Sequence, residues 1–146
     1  MKKILVLIAA VFTFGVFAVK ADNDRVINKE NLPASAQQFI NTHFGNNKIS
    51  FVKEERDFLE KSYEVVFTDG TKLEFSRNGE WTDIDCRYSE VPAAVVPEPI
   101  KNYVAKYYAG EKILKIDHER GEYEVRLSNR FELTFDSKYR IIDIDN

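Results

Sequence analysis

Apolar residues recur along this chain with two periods, and each change of period marks a new element. Ala36, Phe39, Ile40 and Phe44 fall at helical spacing, as do Ile100, Tyr103, Val104, Tyr107 and Tyr108. Pro33 and Pro97 fit the first helical turn, where a missing N–H costs nothing. Gly45 and Gly110 follow the last periodic residues as stop signals. Between and after these helices the pattern turns to alternation. It predicts strands from Ile49 to Glu54, Ser62 to Thr68, Thr71 to Arg77 and Glu80 to Cys86. A second set runs from Lys112 to Asp117, Glu122 to Ser128, Arg130 to Phe135 and Arg140 to Asp145. Asp69-Gly70 and Asn78-Gly79 read as two-residue hairpin loops. The charged stretch from Glu55 to Lys61 reads as a longer loop.

The two sets answer each other. A constant shift of 60 pairs Asn78 to Asp85 with Lys138 to Asp145, Tyr63-Glu64-Val65 with Tyr123-Glu124-Val125, and Leu73 and Phe75 with Leu133 and Phe135. Upstream, a shift of 64 pairs Pro33, Ala36, Phe39, Ile40 and Phe44 with Pro97, Ile100, Tyr103, Val104 and Tyr108. The expected fold is therefore α+β: a tandem repeat of one helix plus four antiparallel strands, spanning about 30–87 and 91–146. Alternation turns Tyr63, Val65, Phe67, Leu73, Phe75 and Ile84 to one face, joined by Tyr123, Val125, Leu127, Phe131, Leu133, Phe135, Ile142 and Ile144. The two amphipathic helices are the available cover for that face, and the other is left to solvent.

The same alternation gives the uncovered face Glu64, Val66, Lys72, Glu74, Trp81, Asp83 and Asp85 from the first set. From the second come Glu124, Arg126, Arg130, Glu132, Ile141, Asp143 and Asp145. Most are charges that any solvated strand carries. Trp81 differs, because a tryptophan on a polar face buries much area on a partner at little entropic cost. Val66, Glu74, Trp81, Asp83, Asp85, Arg126, Ile141 and Asp143 are the candidate binding residues.

The first residues set the compartment. Lys2 and Lys3 precede an apolar run from Ile4 to Val19, and Val19-Lys20-Ala21 leads into polar Asp22-Asn23-Asp24. That is the layout of a secretory leader over residues 1–21, followed by a single domain over 22–146 in the periplasm or outside the cell. Lys2, Lys3 and Lys20 leave with the leader and no acid does, so the formal charge moves from −3 to −6. Such a surface argues against nucleic acid or an anionic membrane as partner. Cys86 is the only cysteine, so no internal disulfide forms. It shares the parity of Ile84 and is expected in the core.

Candidate chemistry is sparse. Asp83-Ile84-Asp85 and Asp143-Ile144-Asp145 each put two carboxylates on one face, roughly 7 Å apart along a strand. Such pairs can bind a cation or move a proton, but duplicated strands bring duplicated side chains without any further cause. His43 lies on the apolar helix face and His118 reads as a loop residue. Multi-cysteine zinc sites are excluded, and no phosphate-binding glycine loop or nucleophile elbow occurs. No cofactor, catalytic residue or metal ligand is assigned.

Taken together, the leader, Leu32-Pro33 and Val91-Pro92 at the helix openings, the Asp69-Gly70 turn and the Trp81 strand resemble the PepSY-like family of exported bacterial proteins. The resemblance covers about residues 30 to 145. It implies a fold similar to the beta-lactamase inhibitory protein, a sheet face suited to docking, and kinship with propeptide domains that restrain peptidases. The second half departs from the pattern, with Lys138-Tyr139 in place of Asn-Gly and Ile141 in place of the tryptophan. The expected function is a non-enzymatic module that binds an unidentified protein or peptide, with inhibition of a peptidase or other enzyme as the role the resemblance suggests. Alternatives are a Ca²⁺- or small-ligand-binding periplasmic protein using the Asp-Ile-Asp strands, and a structural subunit of the envelope. Oligomeric state is not readable from the sequence.

Overall fold

A computed structural model describes residues 23–146. The leader expected over 1–21 lies outside them. The chain forms β1 (Arg25–Ile27), α1 (Ala34–His43), β2 (Ile49–Asp57), β3 (Glu60–Phe67), β4 (Lys72–Ser76), β5 (Trp81–Asp85), α2 (Glu98–Tyr107), β6 (Ile113–Glu119), β7 (Glu122–Leu127), β8 (Glu132–Phe135) and β9 (Ile141–Asp145). Short 3-10 turns at Lys29–Asn31 and Ala93–Val95 precede the two helices. The nine strands of the described residues join one open antiparallel sheet whose spatial order is the chain order, β1 to β9. Its two edges are therefore β1 and β9.

Both helices cover the same face. Ala36, Ile40 and Phe44 of the first helical segment and Ile100 and Val104 of the second are buried with Val65, Leu73, Phe75, Ile84, Ile116, Val125, Leu133 and Phe135. Aromatic rings lock the layers. Phe39 meets Phe75 edge-on at 5.7 Å, and Tyr103 meets Phe135 in the same way at 5.3 Å. Full burial of such side chains stabilises by about 1.5–3 kcal/mol each. Pro33 and Pro97 stand one place earlier than expected, as extended N-caps ahead of the first helical residues.

Several sequence expectations are corrected. The stretch Glu55 to Lys61 is not a long loop. β2 and β3 continue through it and turn at Phe58-Leu59, because Val52, Glu54 and Arg56 keep strict alternation beside Tyr63 and Lys61. Glu54 is buried there among three cations, Arg25 at 3.3 Å, Arg56 at 2.9 Å and Lys61 at 3.2 Å. The bond from Arg25 helps to hold β1, a strand the sequence did not announce. His118 lies in β6 rather than in a loop, since the turn comes later, at Arg120 and Gly121, both with positive φ.

The glycine turns are one residue longer than expected. Gly70 and Gly79 close three-residue loops: Gly79 N–H donates to Ser76 O at 2.9 Å and Ser76 N–H to Glu80 O at 2.8 Å. This is a turn followed by one left-handed residue, where glycine fits best. In the β7–β8 and β8–β9 turns Arg130 (φ 78) and Tyr139 (φ 61) occupy that left-handed place. Arg130 is thus a turn residue and not part of a strand face. Ile142 and Ile144, expected in the core, are 52% and 48% exposed because β9 is an open edge.

Candidate functional site

The uncovered sheet face is built by register. Lys53, Glu64, Glu74, Asp83, Asp117, Glu124, Thr134 and Asp143 stand directly opposite one another from β2 to β9 and form one row across the sheet. The next row holds Val66, Lys72, Asp85, Lys115, Arg126, Glu132 and Asp145. Neighbouring strands lie about 4.8 Å apart, so the first row sets five carboxylates side by side, from Glu64 to Glu124. Like charges directly opposite destabilise a sheet unless something offsets them. An open trough of about 1260 Å³ lies over this floor, lined by residues that include Lys72, Glu74, Asp83, Asp85, Lys115, Asp117 and Glu124.

The second row offsets part of the repulsion. Lys72 Nζ stands 3.1 Å from Glu64, and Lys115 Nζ bridges Asp83 at 3.8 Å and Asp117 at 3.7 Å. Arg126 donates to Asp85 at 3.2 Å, and the Arg87 N–H donates to the same oxygen at 2.9 Å. Glu74 and Glu124 have no salt bridge among the described residues. The remaining strain shows in their acidity. Burial, then Glu55 and Glu64, raises the pKa of Glu74; burial, then Glu132 and Asp117, raises that of Glu124. Asp83 is pushed up to about 8, first by burial and then by the hydrogen bond and charge of Asp117. Its Oδ1 is buried and accepts no hydrogen bond. Burial would lower the pKa of Lys115, but Asp83 and Asp117 outweigh it and raise it.

The eight residues singled out in the sequence divide. Glu74, Asp83, Asp85, Arg126, Asp143 and Val66 lie on this face. Trp81 and Ile141 do not. Each follows a turn and is separated from its Asp-Ile-Asp by one extra residue, Thr82 or Ile142, at a β-bulge. The bulge reverses the parity, so Trp81 stands opposite Phe75 and Ile141 opposite Phe135, both packed against the core. Trp81 has His118 beside it at 5.8 Å, and His118 stacks on Tyr123 at 4.0 Å.

Sequence reasoning missed Lys115 and Asp117. The signal was weak: β6 itself carries an irregularity between Ile113 and Lys115, and only the pairing of Ile84 with Ile116 reveals which face the two residues take. Cys86 is buried and free, its N–H donating to Leu114 O at 2.9 Å. Burial, aided by Asp85, pushes its thiol up to about 12, so it is inert at neutral pH. His43 is half-buried and packs on Phe39 at 4.8 Å. Among the described residues no group of three or more His, Cys, Asp and Glu side chains is arranged to hold a metal ion. What the floor can do is attract cations and keep a proton on Asp83.

Comparison with known proteins fits this description. No curated protein matches the chain. Three solved structures are similar along most of it. A "putative periplasmic protein from DUF2874 family" of Bacteroides vulgatus is 52% identical, covers 86% of this chain and 99% of its own, and superposes with a TM-score of 0.84. A "putative calcium-regulated periplasmic protein" of Bacteroides thetaiotaomicron is 49% identical over 84% of this chain and 97% of its own, with a TM-score of 0.82. A second Bacteroides vulgatus protein, of unknown function, is 35% identical over 84% of this chain and 99% of its own, with a TM-score of 0.80. Among the described residues no helix is long and apolar enough to cross a membrane. The family model described as "Putative beta-lactamase-inhibitor-like, PepSY-like" matches residues 61–143, and the chain belongs to this PepSY-like family.

Proposed function

We propose that this chain is an exported, non-enzymatic binding module whose carboxylate-floored sheet face docks a cationic segment of a protein partner, in the manner of an enzyme inhibitor. One observation carries the reading: Glu74, Asp83, Asp117 and Glu124 stand side by side across the trough with too few cations to neutralise them. Lysines or arginines from a partner would relieve that repulsion and would gain interaction in a site only partly open to water. Export is supported by the leader-like first residues and by relatives described as periplasmic. On this reading the two helix-plus-four-strand halves are a duplication that widens one sheet until its floor can hold an extended partner.

The test is capture from an envelope extract with residues 23–146 immobilised, beside a Glu74→Gln, Asp83→Asn, Glu124→Gln variant. A partner held by the native protein, released by moderate salt and lost with the variant is the expected result. Equal capture by both would sink the face as the docking surface.

A second reading has its own support in the buried Oδ1 of Asp83, which accepts no hydrogen bond and has only the Lys115 ammonium 3.8 Å away, and in the relative described as calcium-regulated. A divalent cation would displace the proton held on Asp83 and complete its shell with water, as Ca²⁺ accepts oxygen ligands in flexible number. Asp85, favoured by sequence alone, is already engaged by Arg126 and the Arg87 N–H. Calorimetric titration with Ca²⁺ decides: heat with proton release supports the reading, and a flat trace ends it.

A further inference from the structure

β5 and β9 are the same strand in two situations. Each ends in Asp-Ile-Asp and carries a bulge at the matching place. Each pairs on its inner side with a leucine opposite the isoleucine, Leu73 with Ile84 and Leu133 with Ile144. They differ on the outer side. β5 receives β6 antiparallel, with Lys115 opposite Asp85 and Ile116 opposite Ile84. β9 is the last strand of the open sheet, and among the described residues nothing pairs with its outer edge. Ile84 is fully buried, whereas Ile144 remains 48% exposed.

We infer that the free edge of β9 accepts one further antiparallel strand from a partner protein, with cationic residues opposite Asp143 and Asp145 and an apolar residue opposite Ile144. The molecule supplies the template, since β6 docks on the equivalent edge with Lys115 and Ile116 in two of those three places. Charge supplies the selection. Asp145 already faces Glu132 across the β8–β9 ladder, and neither residue nor Asp143 has a salt bridge among the described residues. Adding a strand there provides both main-chain hydrogen bonds and specificity through alternate side chains. A second copy of this chain fits poorly: two β9 strands paired antiparallel about Asp143 or Ile144 place carboxylates against carboxylates, a like-charge device that keeps edges apart. The edge lies at the β9 end of the same rows, away from the Glu74, Asp83 and Glu124 carboxylates on which the proposed function rests, and stands or falls separately.

The probe is a capped synthetic octapeptide with the sequence of Lys112 to Glu119 carrying Asp117→Lys, titrated into isotopically labelled residues 23–146. Shifts and slowed amide exchange confined to residues 141–145 and their β8 neighbours are expected. A peptide with Glu at positions 115 and 117 should bind weaker by about fivefold or more, as like charges then face each other. Asp143→Lys with Asp145→Lys in the protein should reverse that preference, and the Glu74, Asp83 and Glu124 amide variant should leave it unchanged. Absence of shifts at millimolar peptide, equal binding of both peptides, or shifts centred on β5 or β1 would overturn the inference. Concentration-dependent shifts of β9 without peptide would overturn it too, by naming a second copy as the occupant.

Discussion

Trp81 stands across the β4–β5 ladder from Phe75, on the helix-covered face, although it is only two residues from Asp83 on the opposite side. One inserted residue, Thr82, accounts for the difference. Without the bulge the indole would project into the carboxylate trough, and with it the indole closes the end of the core beside His118. The bulge therefore decides whether the sheet's polar face carries an aromatic anchor or chiefly charge.

Replacement of Trp81 by alanine is consequently expected to act on stability. Removing a half-buried aromatic packed on the core should cost about 2–3 kcal/mol, somewhat less than the full-burial range. Urea denaturation checks it. A variant as stable as the native protein would return Trp81 to the solvent face.

The raised pKa of Asp83 gives a pH dependence of definite sign. Its folded value, about 8, lies above its ordinary 3.8. The stabilisation from its bound proton is thus complete below the ordinary value and is lost as pH rises through the folded one. Between about pH 5 and pH 8 the melting temperature of the native protein should fall relative to that of Asp83→Asn. Parallel curves for the two proteins would show that Asp83 ionises normally.

Glu54 behaves in the opposite sense. Burial would raise its pKa, but hydrogen bonds from Arg56 and Lys61 and the charge of Arg25 overcome this and lower it. The stability it contributes is present above the ordinary carboxylate value and is lost as pH falls through the lowered one. Glu54→Gln should cost about 1–3 kcal/mol at neutral pH and nothing at the acid end, where the native residue is neutral too. Denaturation midpoints at the two pH values provide the comparison.

The turns offer a paired test. A Cβ on Gly79 would lie 2.8 Å from Pro33 Cβ and 3.1 Å from Ala36 N, and it would collide with Ser35 Oγ. Its φ of 83 adds conformational strain for any L side chain. Gly79→Ala should therefore destabilise by about 2 kcal/mol or more. Arg130 has the same left-handed backbone but is exposed, so Arg130→Gly should stabilise by about 0.5 kcal/mol. Thermal unfolding of both variants measures the contrast. Similar changes in both would mean that the two turns are not equivalent.

Periodicity made the helices, most strands and the buried face readable, because Ile84, Val65 and Leu133 obey simple alternation in their strands. The carboxylate row was only half readable. Glu74, Asp83 and Glu124 could be placed on the polar face from local alternation, but their alignment into one line depends on inter-strand register, a property of pairs rather than of segments. Asp117 and Lys115 stayed hidden because β6 joins the sheet through a long-range contact with β5. Trp81 and Ile141 were misplaced because a bulge leaves no composition mark: Thr82 and Ile142 are ordinary strand residues.

The sheet's spatial order coincides with the order of the chain. Each strand pairs with the strand that precedes it in the chain, so no pairing skips over an intervening strand. Assembly can therefore proceed like a zip, from β1 towards β9, while the chain is still being delivered. Six of the eight closures are short turns, the condition under which folding is fast, while β1–β2 and β5–β6 each wait for a helix. A growing ladder exposes one raw edge at every stage, and among the described residues the last such edge is that of β9.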